Sequence, residues 1–331
     1  MRHSKKLPLD PFLTGIFLVL LLAWQYPDLA SNSGQLPAQF LATLAVMGIF
    51  YIQGLSLNPE HLRNAAANWR LHLLIQGFIF VAYPIIAILL LTIAPWGFSS
   101  GLDTGIWLLA ILPTTISTAL VFTCKAGGNS AMALVNITIS NFAGIVIVPV
   151  VLILTCGGVL QEDSNLREIF FKLIKLLVVP FLVGQINRLL LPEGFVKERK
   201  IFKVLSQGFI LFILLNSFSN AFANDAFATT DSVTLIKLFS YLIILLVLIR
   251  GLAFWICRFV KDSAQRPPLF FCSTQKTLAA GLPLATTIFG TGHPELGILL
   301  MPVLIYHPIQ LAVDGILASR WGISNHLSSS T

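Results

Sequence analysis

Charge is what this sequence has least of. Asp, Glu, Lys and Arg together make up 11% of its 331 residues, against about 25% in an ordinary soluble domain. With 56% hydrophobic residues and a mean hydropathy of +0.85, a soluble globular chain is excluded. Cysteine is also sparse: Cys124, Cys156, Cys257 and Cys272 stand in or at the ends of apolar runs, without paired spacing. That pattern supports neither a disulfide framework nor a zinc site. HExxH, GxSxG, Walker A and aspartate-rich diphosphate motifs are all missing, so metal-assisted hydrolysis and acyl transfer lack their parts. The chain is therefore not read as an enzyme, and no cofactor is expected. No repeated carbonyl or charged-ring filter suggests a channel.

What the sequence does have is long apolar runs. A hydrocarbon core about 30 Å thick takes about 20 helical residues to cross. Runs bounded by Pro, Gly, Asp or basic clusters fall near 11–27, 36–56, 70–94, 104–124, 130–156, 169–191, 201–223, 233–258, 268–290 and 295–319. They predict an all-α polytopic membrane protein with ten transmembrane helices. The first run follows MRHSKK without a small-residue cleavage site, so it reads as a retained span. By this map 15 of the 21 Lys and Arg lie on one side, in the tail and in alternate loops, while the opposite loops hold Arg167 and eight acids, among them Asp28, Asp103, Glu162 and Asp231. The positive-inside rule then puts both termini in the cytoplasm of a plasma membrane protein. The net charge of +7 reads as topology, and no nucleic acid partner is expected.

The chain also repeats itself. PFLTG at 11–15 matches PFLVG at 180–184, TTIST at 114–118 matches STQKT at 273–277, and GIVIVPVVL at 144–152 matches GILLMPVLI at 297–305. Three matches in one order divide the chain into halves 1–157 and 158–331 of five spans each. Because five is odd, the halves insert with opposite orientation, the signature of secondary transporters whose site lies where discontinuous helices meet. Spans 4 and 9 are the candidates for such helices, the first through Pro113 and the second through Gly281 and Pro283.

LPTTISTALVF, AGGNSAMALVNITISNFAGIVIVP (126–149) and FFCSTQKTLAAGLPLATTIF (270–289) together resemble the bile acid:sodium symporter superfamily. Within it they are most similar to the bacterial SBF-like branch related to the seventh member of the human carrier group. The resemblance runs essentially end to end. It implies a panel of spans 1, 2, 6 and 7 beside a core of spans 3–5 and 8–10, with spans 4 and 9 crossing at their breaks. It further implies secondary transport of a small organic anion across the lipid bilayer by alternating access, with Na⁺ as coupling ion. Carried over residue by residue, the Na⁺ ligands would be Gln76 on span 3, Ser117 and Thr118 on span 4 and Gln275 on span 9; on span 5 the family's hydroxyl positions fall on Ala133 and Ile137, and Ser140 is the nearby hydroxyl taken as a candidate instead. One departure stands out. The family's span 9 glutamate falls on Phe271, no acid lies between 268 and 290, and Lys276 is there instead.

A lysine at the centre of a span costs about 2.5–3.5 kcal/mol on insertion scales, so something must offset it. Three readings stand. Lys276 takes over part of a coupling cation's role, and titrates; it pairs with the anionic group of the substrate; or it caps a carbonyl or snorkels. Thr274 and Thr277 flank it, and Asn129 and Asn136, seven apart, share a helical face. These five are the candidate substrate or coupling residues. Against ligand contact stands plain interhelical hydrogen bonding. Asp314, one and a half turns before Arg320, either pairs with a nearby basic residue or serves transport, and His72 and His307 are read as packing residues in preference to proton carriers. Sodium coupling, proton coupling through Lys276, and a regulatory protein that keeps the fold without transport all remain open.

Overall fold

The computed structural model describes residues 11–32, 34, 37–56, 68–156, 171–190, 199–229, 231–290, 293 and 295–329. Part of the charge pattern, including Arg2, Lys5, Lys6, Arg63, Glu162, Asp163, Arg167, Glu168 and Lys197, lies outside the described residues, as do the side chains of Arg199, Lys200 and Cys156.

Every regular element among the described residues is a helix. In lipid a chain must satisfy its backbone internally, and a helix does so within one segment. Helix α1 (Pro11–Gln25) opens on a proline, whose missing N–H is no loss there, and stops ahead of Pro27. Helix α2 covers Ala38–Ser56. Helix α3 (Trp69–Ile93) contains a π turn at Phe78–Ala82 and ends with Ala94 extended, as a residue before proline prefers. Helix α4 (Ser100–Ile111) is capped by the Ser99 hydroxyl and stops at Leu112, which is extended ahead of Pro113. Helix α5 (Ser117–Lys125) ends at Gly127, whose φ of 73° suits a C-terminal glycine. Then follow α6 (Ser130–Cys156), α7 (Phe171–Leu190, with a second π turn at Ile174–Val178), α8 (Arg199–Ala223) and α9 (Ser232–Cys257). The chain closes with α10 (Arg266–Thr274), α11 (Leu278–Phe289) and α12 (Leu296–Ser329).

Seven of the described helices, α2, α3, α6, α7, α8, α9 and α12, are long and apolar enough to cross a membrane; α1 and α4 are shorter apolar helices. The molecule is apolar outside and encloses a cluster of buried polar groups within a largely apolar interior. Ile93, Leu154 and Leu189 are each 78% exposed, whereas Gln275, Gln310 and Asp314 are fully buried. Such an outer face suits lipid, not water.

Two packing groups surround the interior. In one, α2 lies on α7 and α8, and α1 on α8; in the other, α4 lies on α12, and α10 on α5 and α9. The α2–α7 contact is backbone to backbone. A Cβ added to Gly54 would lie 2.2 Å from the Phe181 carbonyl oxygen, and one on Gly184 2.3 Å from that of Tyr51. Small residues permit this approach between apolar helices.

One expectation needs correcting. Gly281 and Pro283 do not break the ninth apolar run: both lie inside α11, and the break falls earlier, at residues 275–277. Gly281 serves close packing instead, since a Cβ there would lie 2.6 Å from Leu112 Cδ1.

Candidate functional site

Two helix breaks meet in the interior. In the first, between α4 and α5, Pro113 has no N–H to continue the ladder. The freed groups of Thr114 go to α6: its N–H donates to Ser140 Oγ at 3.0 Å, and its carbonyl accepts from Asn141 Nδ2 at 3.2 Å. In the second break Gln275 and Thr277 are extended, with ψ of 143° and 126°. The Thr277 N–H donates to the Pro113 carbonyl at 3.0 Å, which ties one break to the other. Gln310 of α12 acts as a strand-like partner for Lys276. Its Oε1 accepts from the Lys276 N–H at 3.0 Å, and its Nε2 donates to the Lys276 carbonyl at 2.7 Å. Buried backbone polar groups must be paired, and here side chains supply what the helices cannot.

The Lys276 ammonium, 1% exposed, neither snorkels nor reaches a carboxylate. It donates to the carbonyls of Ile79 (2.9 Å), Ala110 (2.7 Å) and Leu112 (2.8 Å), and lies 4.1 Å from the centroid of the Tyr83 ring. Three acceptors require three N–H groups, which only the charged form has, and the ring face adds a cation–π contact. Local sequence explains why two of those carbonyls, Ile79 and Ala110, are free. In the π turn of α3 the Tyr83 N–H goes to Phe78, and the next residue is Pro84, which has none to give to Ile79. In the first break Pro113 carries no N–H, and that of Thr114 is turned to Ser140, so Ala110 loses its helical donors.

Beside this cage lies a polar chain. Thr118 Oγ1 donates to Gln275 Oε1 at 2.8 Å, and the Thr115 hydroxyl makes a short hydrogen bond to the same oxygen. Gln275 Nε2 donates to Asp314 Oδ2 at 2.9 Å. Arg250 Nε donates to Asp314 Oδ1 at 2.8 Å and Arg250 Nη1 to the Tyr306 hydroxyl at 3.1 Å. Lys276, Arg250 and Asp314 together leave one positive charge in the interior.

Of the residues expected at the site, Lys276, Gln275, Thr118 and Thr277 are brought together at the crossing, and Ser140 supports it from α6. Gln76 and Asn136 form their own pair, Gln76 Nε2 donating to the Asn136 carbonyl at 3.1 Å and side-chain oxygen at 3.3 Å. Three are placed elsewhere. Thr274 bonds back to Phe270 in its own helix, and Ser117 is exposed. Asn129 is an exposed N-cap whose Oδ1 accepts from the Met132 N–H at 3.0 Å. Asp314 pairs with a basic residue, Arg250 of α9. Gln310, Tyr306, Tyr83, Thr115 and Arg250 escaped sequence reasoning. Only the Pro84 that frees Ile79 left a legible trace.

No three His, Cys, Asp or Glu side chains come together among the described residues, and the polar groups at the crossing are amides, hydroxyls, carbonyls and fixed charges. Such a set binds and orients ions; it holds no nucleophile with an adjacent base.

Residues 10–322 match the SBF-like CPA transporter family (DUF4137). The chain is 30% identical over 337 residues to sodium/bile acid cotransporter 7 of Rattus norvegicus, covering 98% of this chain and 96% of the relative. It is 31% identical to sodium/bile acid cotransporter 7-B of Xenopus laevis, with coverage of 92% and 90%. It is 29% identical to the putative symporter YfeH of Escherichia coli (strain K12), with coverage of 95% and 93%. A family match over nearly the whole chain, on a helical molecule with an apolar outer face and a buried polar cluster, makes this multi-pass membrane protein a transporter, not an enzyme, and a member of the SBF-like CPA transporter family.

Proposed function

We propose that the protein is a secondary active transporter that carries a small organic anion across the plasma membrane by alternating access, with Na⁺ as the coupling ion. The observation that carries this reading is the bonded crossing of two broken helices, Thr277 N–H to Pro113 carbonyl at 3.0 Å, within a buried polar interior. Unwound backbone at membrane depth is tolerated where it lines a cavity or is buried in protein, and transporters place their sites there. In this reading ten spans form two inverted five-helix halves, 1–157 and 158–331, with both termini cytoplasmic. Helices α1, α2, α7 and α8 form the panel, and α3–α6 with α9–α12 the moving core. The excess positive charge of the interior favours an anionic substrate. The names of the relatives, sodium/bile acid cotransporters and a putative symporter, support sodium coupling. The oxygens of Thr115, Thr118 and Gln275, which already converge on one another, are the hard donors that the ion would meet as cargo.

The test is uptake of a panel of organic anions into proteoliposomes under separately imposed sodium and proton gradients. Sodium-driven uptake that loses its sodium dependence in Thr118→Ala supports the assignment. Uptake driven only by protons overturns the sodium step. A second reading, a regulatory protein that keeps the fold without transport, is favoured by one observation: every N–H of the Lys276 ammonium is already used within the protein. No uptake of any anion under either gradient would shift the reading toward it.

A further inference from the structure

We infer that the Lys276 ammonium is a tethered cation, filling a carbonyl cage that would otherwise take a soluble monovalent cation. The cage comes from two elements that the lysine joins: Ile79 of the α3 π turn, and Ala110 and Leu112 at the C-terminal end of α4. Their oxygens lie 2.7–2.9 Å from Nζ, and the Tyr83 ring closes one side at 4.1 Å. A single cap would need one carbonyl. Here three converge: a π turn and Pro84 remove the helical donor of Ile79, Pro113 and the turned Thr114 N–H remove those of Ala110, and Leu112 lies extended just past the end of α4. Carbonyls at a helix C-terminus carry the negative end of its dipole, so the cage attracts positive charge whatever supplies it.

The second half of the argument is saturation. All three ammonium hydrogens are spent on carbonyls, so none is left for a substrate carboxylate or sulfonate. The lysine thus acts as a built-in ion and not as the substrate's hydrogen-bonding partner. An ammonium and a small alkali ion ask for the same kind of oxygen cage. With Lys276 in place, one cation position at the crossing needs no ion from solution, and any coupling ion must use other oxygens. This consequence for transport rests on the reading given under Proposed function. The occupancy of the cage does not, and it can be tested without transport.

Truncation should open the cage to a replacement. The purified full chain is melted in choline, sodium, potassium or n-propylammonium chloride at equal ionic strength, as wild type, Lys276→Ala and Lys276→Met. A ligand that binds only the folded state raises the melting temperature saturably. Lys276→Ala is expected to melt lower than wild type in choline and to regain stability saturably in n-propylammonium, and to a smaller extent in sodium or potassium. Wild type gains nothing from the amine. Lys276→Met, whose side chain fills the vacated stem without charge, melts lower and is not rescued. The inference is overturned if Lys276→Ala gains no more than wild type from any of these cations, if Lys276→Met is as stable as wild type in choline, or if no salt yields folded Lys276→Ala. Rescue in a protein that takes up no anion would leave the tethered cation standing and remove the transport reading; uptake without rescue would do the reverse.

Discussion

Arg250 and Asp314 meet across α9 and α12 in a buried ion pair, Nε to Oδ1 at 2.8 Å, while Gln275 holds the other carboxylate oxygen at 2.9 Å. The pair links α9 and α12, the helices that flank α10 and α11, to the second break, since Gln275 is its first extended residue.

Removing one partner of a buried ion pair is far more costly than replacing both. Asp314→Ala should therefore lower stability by about 3–5 kcal/mol, because Arg250 is left buried without its counter-charge. The double substitution Arg250→Met with Asp314→Leu should recover a large part of that loss. Thermal unfolding of the wild type, the single variants Arg250→Met and Asp314→Leu, and the double variant checks the coupling.

Gln310 occupies both backbone groups of Lys276, and an apolar substitute leaves a buried donor and a buried acceptor without that partner. Gln310→Leu should cost about 1–3 kcal/mol for each group left unpaired. Hydrogen exchange of the amides at 275–277 should rise in the same variant. Unchanged exchange there would remove Gln310 from this role.

The backbone contact of α2 and α7 makes a size prediction. A Cβ on Gly184 would lie 2.3 Å from the Tyr51 carbonyl oxygen, whereas one on Gly208 meets nothing within 4 Å. Gly184→Ala should force the two helices apart and lower the melting temperature. Gly208→Ala should leave it unchanged or raised, since Gly costs a helix interior about 0.5–1 kcal/mol relative to Ala.

Asp231, outside the spans, caps α9: hydrogen bonds from Thr234, including its backbone N–H at 2.8 Å, hold the carboxyl below the usual aspartate range. The unfolded chain therefore binds this proton more readily than the folded one. Its contribution is complete above the ordinary value of about 3.9 and is lost as the pH falls through the lower folded value. Asp231→Asn keeps a capping oxygen without the titration, so its melting temperature should fall less steeply below about pH 4.

The general plan is written in the residues: the apolar runs specify the helices, and Pro113 marks the first break. The second break is misplaced by sequence reasoning because Gly281 and Pro283 are the conspicuous helix-breakers there, yet both fit inside α11. What opens the chain at 275–277 is partners from far away, Pro113 and Gln310, and tertiary bonds of this kind leave no local composition. The role of Lys276 is legible as an anomaly but not as a geometry, since its three acceptors are backbone atoms of Ile79, Ala110 and Leu112. Asn129 misleads for the opposite reason: an asparagine at the start of an apolar helix is its own capping signal, and its spacing from Asn136 suggests a shared face instead.

A bound ion can leave its site at the end of a cycle; the charge of Lys276 cannot. With Arg250 and Asp314 cancelling, the empty interior keeps one positive charge, and a monovalent anion bound there brings it to zero. Moving one elementary charge through the full membrane potential is worth about 2.3 kcal/mol per 100 mV. Under the proposed coupling, one Na⁺ bound beside the anion would restore that charge, so voltage would act on the loaded step and on the return of the empty carrier alike.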